Sequence, residues 1–255
     1  IFILPQLVFG LSAIEIVKKA DTTRFIDADI SFLVEVNDFR GKAIQKTKYK
    51  VYAKGSQMSL VETIFPERQT GRKLLMKGDD LWFFTPDIKR PTRVSMQQRL
   101  TGEVANGDLA RTNFGDDYDA EVKGEESLNG VKSIRLFLKK KKDGVTYPAI
   151  DYWVNQQNYR PIKAVFKSEG GKDLKVATYT GPKVFFGNTL LTKMEITSSI
   201  NKNQKSKVKS QKFKFVSILK RRKTGALELS QARTLYKDLF ANLAPEEEDA
   251  LVAAF

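Results

Sequence analysis

Apolar and polar residues alternate along most of this chain. Ala28, Ile30, Phe32, Val34 and Val36 alternate with Asp29, Ser31, Glu35 and Asn37, broken once by Leu33. Thr47, Tyr49, Val51 and Ala53 alternate with Lys46, Lys48 and Lys50. A period of two sends successive side chains to opposite sides of the backbone. Each run therefore predicts a strand with one dry face and one wet face. Asp38-Phe39-Arg40-Gly41 reads as the turn between them. Further strand-like runs occupy 56–65, 72–77, 80–84, 116–124, 131–140, 145–154, 161–168, 172–180, 189–199 and 207–219. Most are separated by turn signals: Lys54-Gly55, Gly78-Asp79, Asn129-Gly130, Asp143-Gly144, Gly170-Gly171 and Gly187-Asn188. Strands joined by short turns predict an antiparallel meander.

A few segments break that rhythm. Residues 13–21 place Ile14, Val17 and Ala20 at helical spacing. Residues 96–114 lack alternation and suit one or two short helices split at Gly102 and Gly107, with Asp108 capping the second. Residues 225–243 carry Leu235, Leu239 and Leu243 on one helical stripe, and Ala244-Pro245-Glu246-Glu247-Glu248-Asp249 reads as the start of another helix. The first residues, 1–13, form a short apolar run ending in small residues, which fits the core and cleavage region of a signal peptide better than a buried first element. The expected division is a leader at 1–13, one domain at 14–220 and an atypical helical tail at 221–255.

Composition narrows the chemistry. The 255 residues include no cysteine, which excludes disulfides, thiolate metal sites and lipid attachment through an N-terminal cysteine. They include no histidine, which excludes a Ser-His-Asp triad, a Cys-His dyad and a histidine zinc site. Carboxylates and lysines remain as possible catalysts. The one acidic cluster is Asp116, Asp117, Asp119 and Glu121, and these residues alternate along a strand instead of converging. The expectation is a non-enzyme with no cofactor and no metal. The net charge of +14 fits an anionic partner such as a lipid headgroup, a membrane surface or a nucleic acid, and fits simple solubility equally well. No nucleic-acid recognition motif accompanies it, so no nucleic-acid partner is expected.

The segment 71–122 is distinctive. Gly71-Arg72-Lys73-Leu74-Leu75-Met76-Lys77-Gly78-Asp79-Asp80-Leu81-Trp82-Phe83-Phe84-Thr85-Pro86 leads to Arg90-Pro91-Thr92-Arg93-Val94-Ser95 and Gln98-Arg99-Leu100-Thr101-Gly102. Asn106-Gly107-Asp108-Leu109-Ala110, Asn113-Phe114 and Asp117-Tyr118 follow. With Asp151-Tyr152-Trp153-Val154 and Arg160-Pro161-Ile162-Lys163, this order resembles the outer-membrane lipoprotein-sorting family, relatives of LolA. The likeness runs from residue 12 to about residue 215. The tail beyond about residue 220 departs from the family's usual short ending.

The resemblance implies a mainly β fold of the α+β kind: a curved antiparallel half-barrel with short helices covering its concave face. It implies a periplasmic carrier that shelters the acyl chains of a lipoprotein or lipid. The implied partners are an inner-membrane exporter and an outer-membrane acceptor. The candidate lining is Ile30, Phe32, Val34, Tyr49, Val51, Leu60, Trp82, Phe84, Leu136 and Trp153, each of which also suits ordinary core packing. Arg90, Arg93 and Arg99 flank the loop and polar helix. They fit either an anionic group at the cavity mouth or pairing with Asp108, Asp116 or Asp117, with the pairing favoured. The lysines of 139–142 and 201–223 suit an anionic membrane surface or a solvated edge strand. A sensor or interaction module of the same fold, regulating a membrane partner, is the competing reading. A polyanion binder and a hydrolase stand further behind.

Overall fold

The computed structural model describes residues 10–25, 30–40, 43–88, 90–101, 103–111, 113–185, 187–199 and 210–221. Most of the expected leader, most of the tail with its helices at 225–243 and after Ala244, and residues 201–209 of the basic segment lie outside the described residues.

Helix α1 (Ala13–Asp21) opens the described chain. It starts where the sequence supplies a reciprocal cap: the Ser12 amide donates to Glu15 Oε2 at 2.7 Å, and the Glu15 amide donates to Ser12 Oγ at 3.4 Å. Lys18 and Lys19 in its last turn suit the negative end of the helix dipole. Its inner face buries Ile16, Val17, Ala20 and Asp21, while Ile14 packs at the margin.

The strands follow as β1 (Ile30–Arg40), β2 (Ala43–Lys54), β3 (Met58–Phe65), β4 (Lys73–Lys77), β5 (Asp80–Phe84) and β6 (Thr92–Arg93). A small hairpin, β7 (Arg99–Thr101) and β8 (Val104–Ala105), leads into the short helix α2 (Asn106–Ala110). Then come β9 (Tyr118–Leu128), β10 (Val131–Lys140), β11 (Ala149–Asn155), β12 (Pro161–Lys167), β13 (Asp173–Phe185), β14 (Asn188–Ser198) and β15 (Ser210–Arg221). Thirteen strands form one antiparallel sheet in the order β6-β5-β4-β3-β2-β1-β15-β14-β13-β12-β11-β10-β9. The sheet ends at β6 and β9 without closing, so the expected curved half-barrel with helices on its concave face is the fold observed.

Three details differ from the sequence reading. Asp38, Phe39 and Arg40, expected as a turn, continue β1 in pairing with β2. Residues 99–105 carry the β7–β8 hairpin, not a helix. The run placed at 145–154 begins its strand only at Ala149, because Tyr147 and its neighbours form a loop under α2.

Strand register shows which side chains share a face. Val34 pairs with Tyr49, Tyr49 with Thr63, and Val51 with Val61. Val61 pairs with Leu74, and Leu74 with Phe83. On the other side Val36 lies opposite Phe213, Phe213 opposite Met194, and Met194 opposite Tyr179. The same face continues through Ala177, Ala164, Tyr152 and Leu136 to Val122. An apolar surface thus lines both flanks of the sheet, β1–β5 and β9–β14. Ser59 on this face donates to the Ala110 carbonyl of α2 at 2.9 Å, which identifies it as the helix-covered side. Each Val or Leu fully removed from water contributes about 1.5–3 kcal/mol. Exposed ion pairs contribute about 0–1 kcal/mol each. This face, and not the charged exterior, therefore holds the fold together.

Candidate functional site

The helix-covered face divides the proposed lining residues. Ile30, Phe32, Val34, Tyr49, Val51 and Leu136 stand on it, with Val34, Tyr49, Val51 and Leu136 inside the main core. Leu60, Trp82, Phe84 and Trp153 belong to the opposite face. Leu60 pairs with Tyr52 and Leu75, Leu75 with Trp82, and Phe84 lies two residues beyond Trp82 on the same side. Trp153 is sandwiched between cations on that outer face: the Arg135 guanidinium lies 5.4 Å and the Lys163 ammonium 4.7 Å from its ring centroid. Its indole N–H donates to Glu126. The reason is parity. Residues 149–154 are buried at almost every position, so alternation does not choose between Tyr152 and Trp153. The side chains missed on the covered face include Val61, Leu74, Met76, Leu81, Tyr152 and Tyr179.

The polar residues named from the sequence also sort themselves. Arg93 pairs with Asp80, and Arg99 sits 3.8 Å from Glu103. Arg90 is exposed. Among the described ion pairs, none of the three meets Asp108, Asp116 or Asp117. Asp117 instead forms a buried pair with Arg111 at 2.6 Å, and Asp116 accepts from the Asn113 side chain at 2.8 Å. Within 139–142, Lys140 meets Asp143 and Glu169, while Lys142 meets Asp79. Among the described residues no group of carboxylates is placed to hold a metal ion.

Asp108 is the anchor of α2. Helix α2 starts after Ala105, and Asp108 caps it from the third helical position by accepting the Ala105 amide at 2.8 Å. The other calls on this carboxylate come from β13 and from the loop before β11. The Lys175 ammonium lies 2.6 Å away and also donates to the Glu103 carbonyl at 2.9 Å. The Tyr147 hydroxyl donates to it at 2.9 Å. Burial, and then the Asp108 charge, hold the Tyr147 phenol well above its usual range, so it stays a donor. Gly107 lets α2 sit this low, because a Cβ there would meet Thr146 Oγ1 at 1.9 Å.

A second polar group lies under the end of α1. Asp21 accepts the Phe114 amide at 2.9 Å and the Gly115 amide at 2.8 Å, and pairs with Arg24 at 3.3 Å. Burial pushes its carboxyl up to about 7, against the pull of Arg24 and the two amides. The Arg24 guanidinium lies 3.9 Å from the Phe114 ring centroid and 5.6 Å from that of Tyr179. Phe114 in turn meets Tyr152 edge to face at 5.5 Å. The Tyr179 hydroxyl is buried with no hydrogen-bond partner, and the buried Tyr152 hydroxyl has only the Arg24 side chain beside it. Nothing in the alternation of the strands marks these four polar residues. The only sequence signal is Asp21 and Arg24 one helical turn apart at the end of an apolar stripe.

A family model described only as an uncharacterized protein matches residues 55–222. No curated protein sequence matches the chain. Among solved structures, a LolA superfamily protein from Nitrosomonas europaea is 33% identical, with a TM-score of 0.77 over 84% of this chain and 96% of that one. A domain assigned to outer membrane lipoprotein sorting from Vibrio parahaemolyticus is 19% identical, with a TM-score of 0.71 over 88% and 97%. A DUF1329 family protein from Desulfovibrio piger is 17% identical, with a TM-score of 0.72 over the same shares. The last two share the fold.

Proposed function

The chain belongs to the LolA superfamily, and from that premise we propose that it is an exported, periplasmic, non-catalytic carrier for the acyl chains of a lipoprotein or lipid. Residues 14–220 would form the carrier domain, preceded by a leader. The observation that supports this reading is the apolar face shared by β1–β5 and β9–β14 on the side that α1 and α2 cover.

The physical need is plain. An acyl chain in water costs about 0.8 kcal/mol per methylene, so a chain of about sixteen carbons loses on the order of 12 kcal/mol on leaving a bilayer. A carrier requires no reacting group. It requires apolar surface that opens to a tail and closes against water. The end of α1, held by the Asp21 contacts, is suited to opening while the long strands stay paired. An inner-membrane exporter as donor and an outer-membrane acceptor would complete the route, and the lysines of the outer face would suit an anionic membrane surface.

The test is mass spectrometry of an organic extract from purified protein. Acyl-bearing molecules are expected to copurify. Phe32→Glu, on the covered face, should lower the recovered lipid several-fold, whereas Trp82→Glu, on the opposite face, should leave it unchanged. No acyl-bearing molecule in the wild-type extract, or equal loss in both variants, counts against the reading.

A further inference from the structure

Most buried polar groups in a folded protein find partners, and an orphan hydroxyl calls for an explanation. Two such groups stand on the helix-covered face beside one buried guanidinium: the Tyr179 hydroxyl has no partner, and the Tyr152 hydroxyl meets Arg24 and has no acceptor for its own proton. Their rings project from β11 and β13, with Ala164 of β12 paired between Tyr152 and Ala177. Burial keeps both phenols protonated above their usual range, with Arg24 pulling the other way. Both therefore carry hydroxyl protons to donate.

Arg24 is itself only partly compensated. A guanidinium has five N–H donors. Its side-chain contacts are a long hydrogen bond to Asp21 at 3.3 Å and one to the Tyr152 oxygen. The other Asp21 oxygen is occupied by the Phe114 and Gly115 amides. Since that carboxyl titrates near 7, it gives up its charge readily when a second anion arrives. A buried cation with spare donors, flanked by two hydroxyl donors, is the arrangement that binds an oxyanion through charge-assisted hydrogen bonds.

We infer that Arg24, Tyr152 and Tyr179 form a subsite for the oxyanionic end of an acyl-bearing ligand, a carboxylate or a phosphate, under the end of α1. This rests on the carrier reading and sharpens it. The apolar face takes the tail, and this corner selects an acidic head. Asp21 and the amides of Phe114 and Gly115 fix the end of α1 over the site. Gly115 packs so close to the helix that a Cβ would meet Lys18 Cγ at 2.7 Å.

The experiment uses the full chain after delipidation and a fluorescent acyl probe. The competitors are oleate, oleoyl lysophosphatidate, oleyl alcohol and inorganic phosphate. At least one acidic lipid is expected to displace the probe about tenfold better than oleyl alcohol, a difference of about 1.4 kcal/mol. The double variant Tyr152→Phe/Tyr179→Phe should bring that ratio close to one while still binding oleyl alcohol. The single variant Tyr179→Phe should keep its Tm unchanged or raise it, because removing an unpartnered buried hydroxyl does not destabilise. Arg24→Gln should abolish the preference in the same way. Whichever of oleate and lysophosphatidate ranks first assigns the head as carboxylate or phosphate. Inorganic phosphate alone should displace nothing, and competition by it at the same concentration overturns the lipid assignment. Equal displacement by the acidic lipids and oleyl alcohol, or an unchanged preference in the double variant, overturns the subsite and leaves the carrier reading in place. Absence of binding by every tailed compound overturns both.

Discussion

Two buried polar groups lie beneath the helices, and they are built differently. Under α2, Asp108 is surrounded: Lys175, the Tyr147 hydroxyl and the Ala105 amide all point at it. Under α1, Asp21 and Arg24 face each other at a looser distance, while the Tyr179 hydroxyl has no partner and the Tyr152 hydroxyl has no acceptor. A satisfied network fixes geometry, whereas an unsatisfied one costs stability and is retained where something else uses it. The contrast suggests that α2 is clamped for architecture and the end of α1 is kept open for a ligand.

The clamp can be broken directly. Lys175→Met leaves Asp108 buried without its cation, and loss of one member of such a pair typically costs about 3–5 kcal/mol. Equilibrium urea unfolding is expected to show a loss of that size. A loss below about 1 kcal/mol would mean that α2 does not depend on the pair.

The α1 group should reveal itself through pH. Its carboxyl binds a proton more tightly folded than unfolded, since its value rises from 3.8 to about 7. The folded state then holds more protons than the unfolded state between those values. Stability contributed by Asp21 is therefore greatest below about pH 4 and falls as pH rises towards 7. In Asp21→Asn that part of the slope, on the order of a few kcal/mol, should vanish from a series of unfolding curves. An identical slope in both proteins would place the titration elsewhere. The smallest effect distinguishes phenol from phenol. Tyr147→Phe removes a hydrogen bond to a charged partner and should cost about 1.5–3 kcal/mol at most. That loss contrasts with the neutral or positive change expected for Tyr179→Phe.

The sheet was legible in the sequence, because alternation is a direct consequence of strand geometry. Ile30 to Val36 and Thr47 to Ala53 alternate cleanly and fall on one face in register. The same rule fails where both faces are buried. In the run from Ala149 to Asn155, five consecutive residues are buried, and only the pairing with β10 and β12 shows that Tyr152 faces the helices and Trp153 does not. Leu60 misled for a similar reason, being fully buried on the outer side. The hairpin before α2 was hidden because strands of two and three residues are too short to display a period. Ion pairs were the least legible. Lys175 reaches Asp108 from 67 positions away, and no local rule spans that separation.

The place of β15 has a consequence for how such a chain comes into being. The sheet joins two meanders, β1–β6 and β9–β14, and the piece between them is, among the described strands, the one synthesised last. Until residues 210–221 arrive, β1 lacks its neighbour, and so does β14. Each half then presents a long unsatisfied edge, the kind of template that invites mispairing between nascent molecules. A polypeptide that threads through a membrane from its N-terminus would spend its passage in that vulnerable form, and a escorting holdase on the far side would be most useful just before the final strand emerges.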